Sequence, residues 1–270
     1  MTIFPLVVKL INKVLTNKET TRLLMWLGLV LIGFLVGILV LSTGGGGAAI
    51  YLGLLTSVLG LAPAVAASTS LFTAFPSLVV GAYGHYRTGQ IHFRVGNQML
   101  LTAIPATIVG ALLAPYIPGK LYTWLVALIL MGLGLQILMK RFLSHNDRPA
   151  PHQQAQAAIY GALSGIMVGV AGLSGGGPII AGLLVLGLDM LPAAATSAYV
   201  LVGTSLVGLL FHLSANNIDW FVGLSLMIGA VLGALCAPRL LMHIDPQKLN
   251  QYVKPFMGLL LIVMGLRMIV

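Results

Sequence analysis

Acidic residues and cysteine are scarce in this chain of 270 residues. Its one cysteine, Cys236, excludes an internal disulfide and a thiolate metal site. No acidic residue lies in the middle of a clear hydrophobic run. Because cation pumps and many proton antiporters rely on an intramembrane carboxylate, this distribution argues against a cation substrate. The acidic residues are Glu19, Asp147, Asp189, Asp219 and Asp245.

Charge of either sign is rare, and hydrophobic residues dominate. Charged residues make up 7% of the chain, against about 25% in a soluble domain, and 59% of the residues are hydrophobic. This composition is typical of a polytopic membrane protein. The net charge of +9 comes from cations that flank hydrophobic runs, so topology explains it better than a nucleic-acid partner, and none is expected. No metal or cofactor is predicted.

Ten apolar runs follow one another along the chain. Two of them, 48–61 and 178–188, would extend only roughly 21 Å and 16 Å as helices, less than a hydrocarbon core of about 30 Å. They are interpreted as half-helices or re-entrant segments, with a tight full crossing as the alternative. The eight runs long enough to cross are 23–42, 66–84, 95–117, 121–139, 155–173, 194–213, 220–241 and 249–270.

The distribution of cations favours re-entry of the two short runs. With a cytoplasmic N-terminus, re-entry leaves eight crossings and places Arg87, Arg94 and the cations of 140–148 inside, whereas full crossings would move them outside. The positive-inside rule therefore predicts eight crossings, a cytoplasmic N-terminus and parallel repeats. An odd number of crossings in each half would instead make the repeats inverted.

One long hydrophilic link divides the chain near its middle. Residues 141–154 are predicted to be a polar linker between a first transmembrane repeat at 22–140 and a second at 155–270. Residues 1–21 mix lysines with apolar residues at helical spacing. They are interpreted as an amphipathic segment on the cytoplasmic membrane surface, or else as a basic leader without fixed structure.

The two halves match each other. Residues 68–93 align with 195–220 without a gap, and with gaps GALLAP at 110–115 pairs with GALCAP at 233–238. A duplicated membrane unit with interrupted hydrophobic segments at corresponding positions is typical of a secondary transporter whose site lies between the halves. The predicted fold is therefore an all-α polytopic membrane protein with about eight transmembrane helices and two glycine-initiated half-helices, produced by an internal duplication. The matched residues include Thr69 with Thr196, Ser70 with Ser197, His85 with His212, and the glycines at 45–47 with those at 175–177.

A glycine cluster precedes each short run: STGGGG at 42–47 and SGGG at 174–177. A helix begins with unpaired N–H groups and a partial positive charge, and glycine lets the backbone approach a ligand closely. Each cluster is interpreted as a loop that opens a half-helix for an anion, with tight helix packing as the alternative. The predicted substrate-binding residues are Ser42, Thr43, Gly44, Gly45, Gly46, Gly47, Thr69, Ser70, Ser174, Gly175, Gly176, Gly177, Thr196 and Ser197.

Alternatives remain for the individual side chains. The hydroxyls could simply cap adjacent helices. His85 and His212 are candidates for proton coupling, although interfacial histidines often only hold a turn, and sodium coupling is also open. Two other functions compete with transport. GLSG at 172–175, with His212 as a base, has the form of an intramembrane serine protease that uses Ser174, and an assembly factor without flux is the third option.

Several segments in series resemble the TauE/SafE sulfite exporter family, also described as the 4-toluene sulfonate uptake permease group. They are the two glycine clusters, PAVAASTSL with PAAATSA, GHYRTGQIHF with FHLSANNIDW, and the ending LLLIVMGLRMIV, and the resemblance covers about residues 22 to 270. It implies secondary transport of sulfur-containing organic or inorganic anions (sulfite, sulfoacetate or other sulfonates) across the bacterial cytoplasmic membrane. The chain departs from strict duplication at Ala48, where the second half has Pro178, and at His92, where it has Asp219.

The expected partners follow from these interpretations. They are a small anionic substrate, the lipid bilayer and a coupling ion, either a proton or sodium. A homodimer is a further expectation.

Overall fold

In a computed structural model of the protein, residues 18–43, 47–139, 153–173, 175–214, 218–241 and 254–269 are described. Within these ranges the chain forms ten α-helices and a short 3-10 turn at Ala114–Tyr116. The α-helices are α1 Lys18–Thr43, α2 Ala48–Ser57, α3 Pro63–Arg87, α4 Phe93–Leu113, α5 Gly119–Met139, α6 Gln153–Ala171, α7 Gly176–Val185, α8 Met190–Ser214, α9 Trp220–Leu241 and α10 Lys254–Ile269.

The predicted fold class is confirmed. The eight longer helices coincide with the eight long apolar runs, and the ten-residue helices α2 and α7 coincide with the two short ones. Six helices of the described chain are long and apolar enough to cross a membrane by length and composition. Residues 1–17 of the predicted amphipathic segment lie outside the described residues, as does the linker up to residue 152. Residues 18–21 begin α1, and residues 153–154 begin α6.

Both short helices are enclosed by protein. In α2, Tyr51, Leu52 and Leu55 are fully buried and belong to an apolar cluster that reaches α5 and α9. In α7, Ile179 and Leu183 are fully buried in a second cluster with α4 and α8. A helix too short to span a bilayer therefore lies within the protein, surrounded by longer helices that face lipid.

Glycines bring α1 against α9 and α4 against α6. Gly33 and Gly37 of α1 lie against the backbone carbonyls of Leu226 and Ala230. A side chain at either glycine would overlap these carbonyl oxygens, so only glycine allows this separation of the helices. The second half repeats the contact, with Gly161 and Gly165 of α6 against the carbonyls of Met99 and Ala103 of α4.

Helix directions in the first half follow from these contacts. Gly33 and then Gly37 meet Leu226 and then Ala230, so α1 runs parallel to α9. The Thr69 hydroxyl contacts the backbone of residue 219 and the Thr73 hydroxyl that of residue 223, so α3 also runs parallel to α9. Because α1 and α3 run the same way, the short helix α2 between them carries the chain back across the membrane.

The second half has the same arrangement. Gly161 and Gly165 meet Met99 and Ala103 in order, so α6 is parallel to α4. The Thr196 hydroxyl bonds the backbone of His92, and Gly203 contacts Leu100, so α8 is parallel to α4 as well. The chain therefore returns across the membrane through α7.

The two repeats are inverted. Their equivalent helices α3 and α8 run antiparallel, because Ser68 contacts His212 whereas Leu71 contacts Gly208. The predicted re-entry of the short runs, and with it the parallel arrangement of the repeats, is wrong. Cation counts favoured re-entry, but the directions of the long helices require that α2 and α7 connect opposite faces.

Reciprocal contacts join the repeats. The Thr69 hydroxyl oxygen accepts a hydrogen bond from Asp219 N at 3.1 Å, and the Thr196 hydroxyl oxygen accepts one from His92 N at 2.9 Å. Edge-to-face aromatic pairs lie beside them. Phe72 and Trp220 have ring centroids 5.3 Å apart, and the matching pair, Tyr199 and Phe93, 5.2 Å apart. Each repeat thus makes the same hydrogen bond and the same aromatic contact to the other repeat.

Candidate functional site

The helix α7 begins inside the protein. Its N-cap, Gly175, has a φ of +45°, in the left-handed region that favours glycine, and makes no side-chain capping bond. The Gly175 carbonyl oxygen accepts a hydrogen bond from the buried Ser164 hydroxyl at 2.9 Å, and a side chain at Gly175 would overlap Ser164. The first N–H groups of α7 therefore lie beside α6 in buried surroundings, without partners in their own helix.

Residues of the first repeat contact the segment just before α7. The Ser70 hydroxyl donates a hydrogen bond to the Gly172 carbonyl oxygen at 3.1 Å, and Gly172 lies against the backbone of Ala67. Two residues predicted from sequence, Ser70 and Gly175, thus flank the same glycine segment. Ser174 lies outside the described residues. Gly176 and Gly177 form the first turn of α7.

The helix α2 also begins at a glycine, but Gly47 has a φ of −78°, in the right-handed region that other residues adopt as well. Its N-cap, Gly47, is buried, makes no side-chain capping bond and accepts backbone hydrogen bonds from Ile50 and Tyr51 at 3.0 Å. The starts of the two ten-residue helices pair Gly47 with Gly175, whereas the sequence alignment pairs Gly45 with Gly175. The assigned helix starts therefore differ by two residues from that alignment, because repeated glycines do not fix a register. Gly44, Gly45 and Gly46 lie outside the described residues, and Ser42 and Thr43 end α1.

The two matched threonines bond the helix starts of the opposite repeat. Thr69 and Thr196 are fully buried, and their hydroxyl oxygens accept the N–H groups of Asp219 and His92, just before α9 and α4. Helix capping is the alternative role that the sequence allows for these hydroxyls. The observed contact is of that kind, but the helix that each threonine bonds belongs to the opposite repeat. A role of these threonines in substrate binding stays a prediction.

We expect Thr69→Val and Thr196→Val to lower the melting temperature of the purified protein by similar amounts. Each removes one interhelical hydrogen bond, worth about 0.6 to 1.7 kcal/mol in membrane proteins, and keeps the methyl group that packs on the facing glycine. Thr123→Val is the control, since the Thr123 hydroxyl bonds the Gly119 carbonyl within its own helix. Unchanged melting with lost transport in either variant would instead assign these hydroxyls to the substrate.

Two buried serines of α8 have no hydrogen-bond partner among the described residues: Ser197 and Ser205, both 0% exposed. Sequence reasoning found Ser197 through its match to Ser70. It missed Ser205, whose counterpart in the first repeat is Leu78. The signal available in the sequence was a second serine on α8, two helical turns after Ser197.

The two histidines have different surroundings. His212 is buried, its Nδ1 atom lies 3.2 Å from the Ser68 hydroxyl, and its Nε2 atom lies 3.2 Å from the Gly169 carbonyl oxygen. Because a carbonyl oxygen only accepts, Nε2 carries a hydrogen and donates it. His212 thus joins α8, α3 and α6. His85 is half-buried in the last turn of α3. Proton coupling through this pair stays a prediction.

Comparison with known proteins identifies relatives. The sequence model of the family described as sulfite exporter TauE/SafE matches residues 29–268. The chain is 28% identical over 212 residues to the probable membrane transporter protein YdhB of Bacillus subtilis, covering 76% of this chain and 86% of that protein. It is 24% identical over 261 residues to the probable membrane transporter protein YjnA of the same organism, covering 91% of this chain and 100% of that protein. A probable membrane transporter protein of Methanocaldococcus jannaschii is 24% identical over 254 residues, which cover 89% of this chain and 94% of that protein.

Proposed function

Since this chain belongs to the sulfite exporter TauE/SafE family of membrane transporters, we propose that it moves sulfur-containing anions, such as sulfite, sulfoacetate or other sulfonates, across the cytoplasmic membrane. The resemblance seen in the sequence is confirmed, and the chain is a multi-pass membrane transporter. It is not an enzyme, so the protease alternative with Ser174 and His212 is wrong. The relatives' description as transporters also argues against an assembly factor without flux.

One observation carries the anion proposal: each repeat contains a short buried helix that begins at a glycine without a side-chain cap. The free N–H groups at such a start, with the helix dipole behind them, attract an oxyanion. The proposed donors are the backbone N–H groups of Ala48 and Ala49 in α2 and of Gly176 and Gly177 in α7. The N–H groups supply this attraction without a buried guanidinium, and the side chains of Arg22, Arg87, Arg94 and Arg267 are exposed.

The inverted repeats give the two helix starts different directions. Because α2 and α7 run antiparallel, their N-termini open toward opposite faces of the membrane. We therefore propose that the anion binds between the repeats and passes from one N-terminus to the other, so that each start serves one face. Exchange of conformation between inverted repeats is the usual basis of alternating access in secondary transporters.

The cytoplasmic orientation of the N-terminus stays a prediction. The helix directions place Lys18, Arg22, Lys120 and Arg267 toward one face, and Arg87, Arg94, Arg239 and Lys254 toward the other. These eight cations of the described residues are evenly divided and do not by themselves assign the faces. Reporter fusions at the N-terminus and within residues 88–92 would assign them, because the two positions belong to opposite faces.

A thermal-shift panel tests the proposed substrate class. Purified protein is heated with sulfite, sulfate, thiosulfate, sulfoacetate, taurine or small carboxylates, with and without sodium. We expect sulfite or a sulfonate to raise the melting temperature, since a ligand at about 100 times its Kd stabilises by about 2.7 kcal/mol. A further rise with sodium would favour sodium over protons as the coupling ion. Stabilisation by carboxylates alone would contradict the substrate class.

A further inference from the structure

Hydrogen bonding sets Ser197 and Ser205 apart from the other buried hydroxyls. Ser77, Thr107 and Thr204 each bond a carbonyl oxygen in their own helices, and Ser164 bonds the Gly175 carbonyl. Ser197 and Ser205 have no such partner within the described chain, although both are fully buried. A buried hydroxyl without a partner costs about 1 to 3 kcal/mol, so these two hydroxyls are candidates for a hydrogen bond to a group outside the described chain.

Ser197 is the equivalent of Ser70 in the second repeat. Its counterpart, Ser70, donates to the Gly172 carbonyl at 3.1 Å, just before α7 begins. From the pseudo-symmetry of the repeats we infer that Ser197 faces the start of α2. The hydroxyl oxygen of the neighbouring Thr196 accepts a hydrogen bond from His92 N at 2.9 Å. This bond fixes the position of α8 along its axis relative to α4.

Ser205 lies toward the start of α7. One turn further along α8, Gly208 packs against Val168, and Val168 also packs against Gly175, the N-cap of α7. Ser205 follows Ser197 by about 12 Å along the helix axis at 1.5 Å per residue. On this inference, the two free hydroxyls lie at the levels of the two half-helix starts.

The first repeat has no equivalent pair. Ser70, which matches Ser197, donates to the carbonyls of Ala67 and Gly172. Leu78 takes the place of Ser205. The two repeats therefore differ here: α8 carries two buried hydroxyls without a described partner, and α3 carries no equivalent pair.

We propose that Ser197 and Ser205 form a hydroxyl track along α8 that donates hydrogen bonds to the oxygens of a sulfite or sulfonate anion as it passes between the N-termini of α2 and α7. This inference rests on the proposed transport of such anions. The backbone N–H groups hold the anion at each end, and the serine O–H groups replace its lost hydration between them. A track of neutral donors suits an anion that must also be released, because a buried cation would retain it.

The test measures stability and sulfite flux together in Ser197→Ala and Ser205→Ala. We expect each variant to keep or exceed the wild-type melting temperature, because alanine removes an unpartnered hydroxyl. We expect flux into proteoliposomes at low sulfite concentration to fall about tenfold, the effect of losing about 1.4 kcal/mol of binding. Ser77→Ala is the matched control: it removes a buried hydroxyl that bonds within its own helix and should leave flux unchanged.

The outcomes separate this inference from the function on which it rests. If the wild-type protein transports sulfite and both alanine variants transport it at the same rate, the hydroxyl track is overturned and the proposed transport function stands. A fall in melting temperature together with flux would assign the serines a structural hydrogen bond and would also overturn the track. No wild-type flux of sulfite, sulfoacetate or taurine would overturn the proposed function itself.

Discussion

Gly47→Leu and Gly176→Leu are each expected to abolish anion transport while the protein still inserts and folds. Both glycines are buried at the start of a short helix, Gly47 as the N-cap of α2 and Gly176 as the first residue of α7. A leucine there fills the space beside the first N–H groups with an apolar side chain and keeps an oxyanion away from them. Sulfite flux in proteoliposomes should fall below detection in both variants.

Gly132→Leu is the matched control for these two variants. Gly132 is an exposed glycine of α5, and a side chain there meets nothing within 4 Å. The control should transport at the wild-type rate. Normal sulfite and sulfonate flux in both Gly47→Leu and Gly176→Leu would refute anion binding at the helix starts, and the glycines would then serve packing alone.

Gly37→Leu and Gly165→Leu are expected to prevent folding altogether. Gly37 lies against the Ala230 carbonyl between α1 and α9, and Gly165 lies against the Ala103 carbonyl between α6 and α4. Here the obstacle is backbone on a packed helix, which cannot move aside as a flexible side chain could. Overpacking of a core costs about 1 to 3 kcal/mol or more, and separating two packed helices belongs at the upper end of that range.

Size-exclusion chromatography of a fluorescent fusion measures the loss of folded protein. We expect no monodisperse peak for either variant, and similar losses in both, because the two contacts are equivalent in the inverted repeats. Gly28→Leu on α1 is the control, since a side chain at Gly28 meets nothing within 4 Å. If Gly165→Leu gives a monodisperse peak and melts at the wild-type temperature, α4 and α6 do not pack as described.

Much of the fold could be predicted from sequence because hydrophobic length and duplication are local signals. The eight long runs lie within a few residues of the observed helices, and the short runs became α2 and α7. The gapless match of Thr69 with Thr196 also had structural meaning, since both hydroxyls bond the opposite repeat. The two halves share this threonine because each repeat makes the same hydrogen bond to the other.

The topology could not be obtained in the same way. Cation counts depend on small differences between loops, and moving a short segment from re-entry to crossing reverses the side of every cation that follows it. The directions of α1 and α3 were decided by contacts with α9, which lies far along the chain. Those contacts between distant segments, such as Gly33 with Leu226, leave no periodic signal in either segment alone.

The candidate site was only partly visible in sequence. The second glycine cluster marks a helix start because few other residues tolerate a φ of +45°, as at Gly175, whereas the φ of −78° at Gly47 does not require glycine. Ser205 was missed because its importance depends on the absence of a hydrogen-bond partner among the described residues, which no sequence pattern records. His212 was found as a titratable residue, but its bonds to Ser68 and Gly169 come from the packing of three helices.

Hydrogen–deuterium exchange of the purified protein, with and without sulfite, tests the central claim most directly. If the anion binds the backbone N–H groups at the helix starts, sulfite will slow exchange in peptides that contain residues 48–51 and 176–180. Peptides from 119–135, which contain neither helix start, will not change. Protection confined to other segments, with both helix starts exchanging as before, would contradict anion binding at the half-helix N-termini.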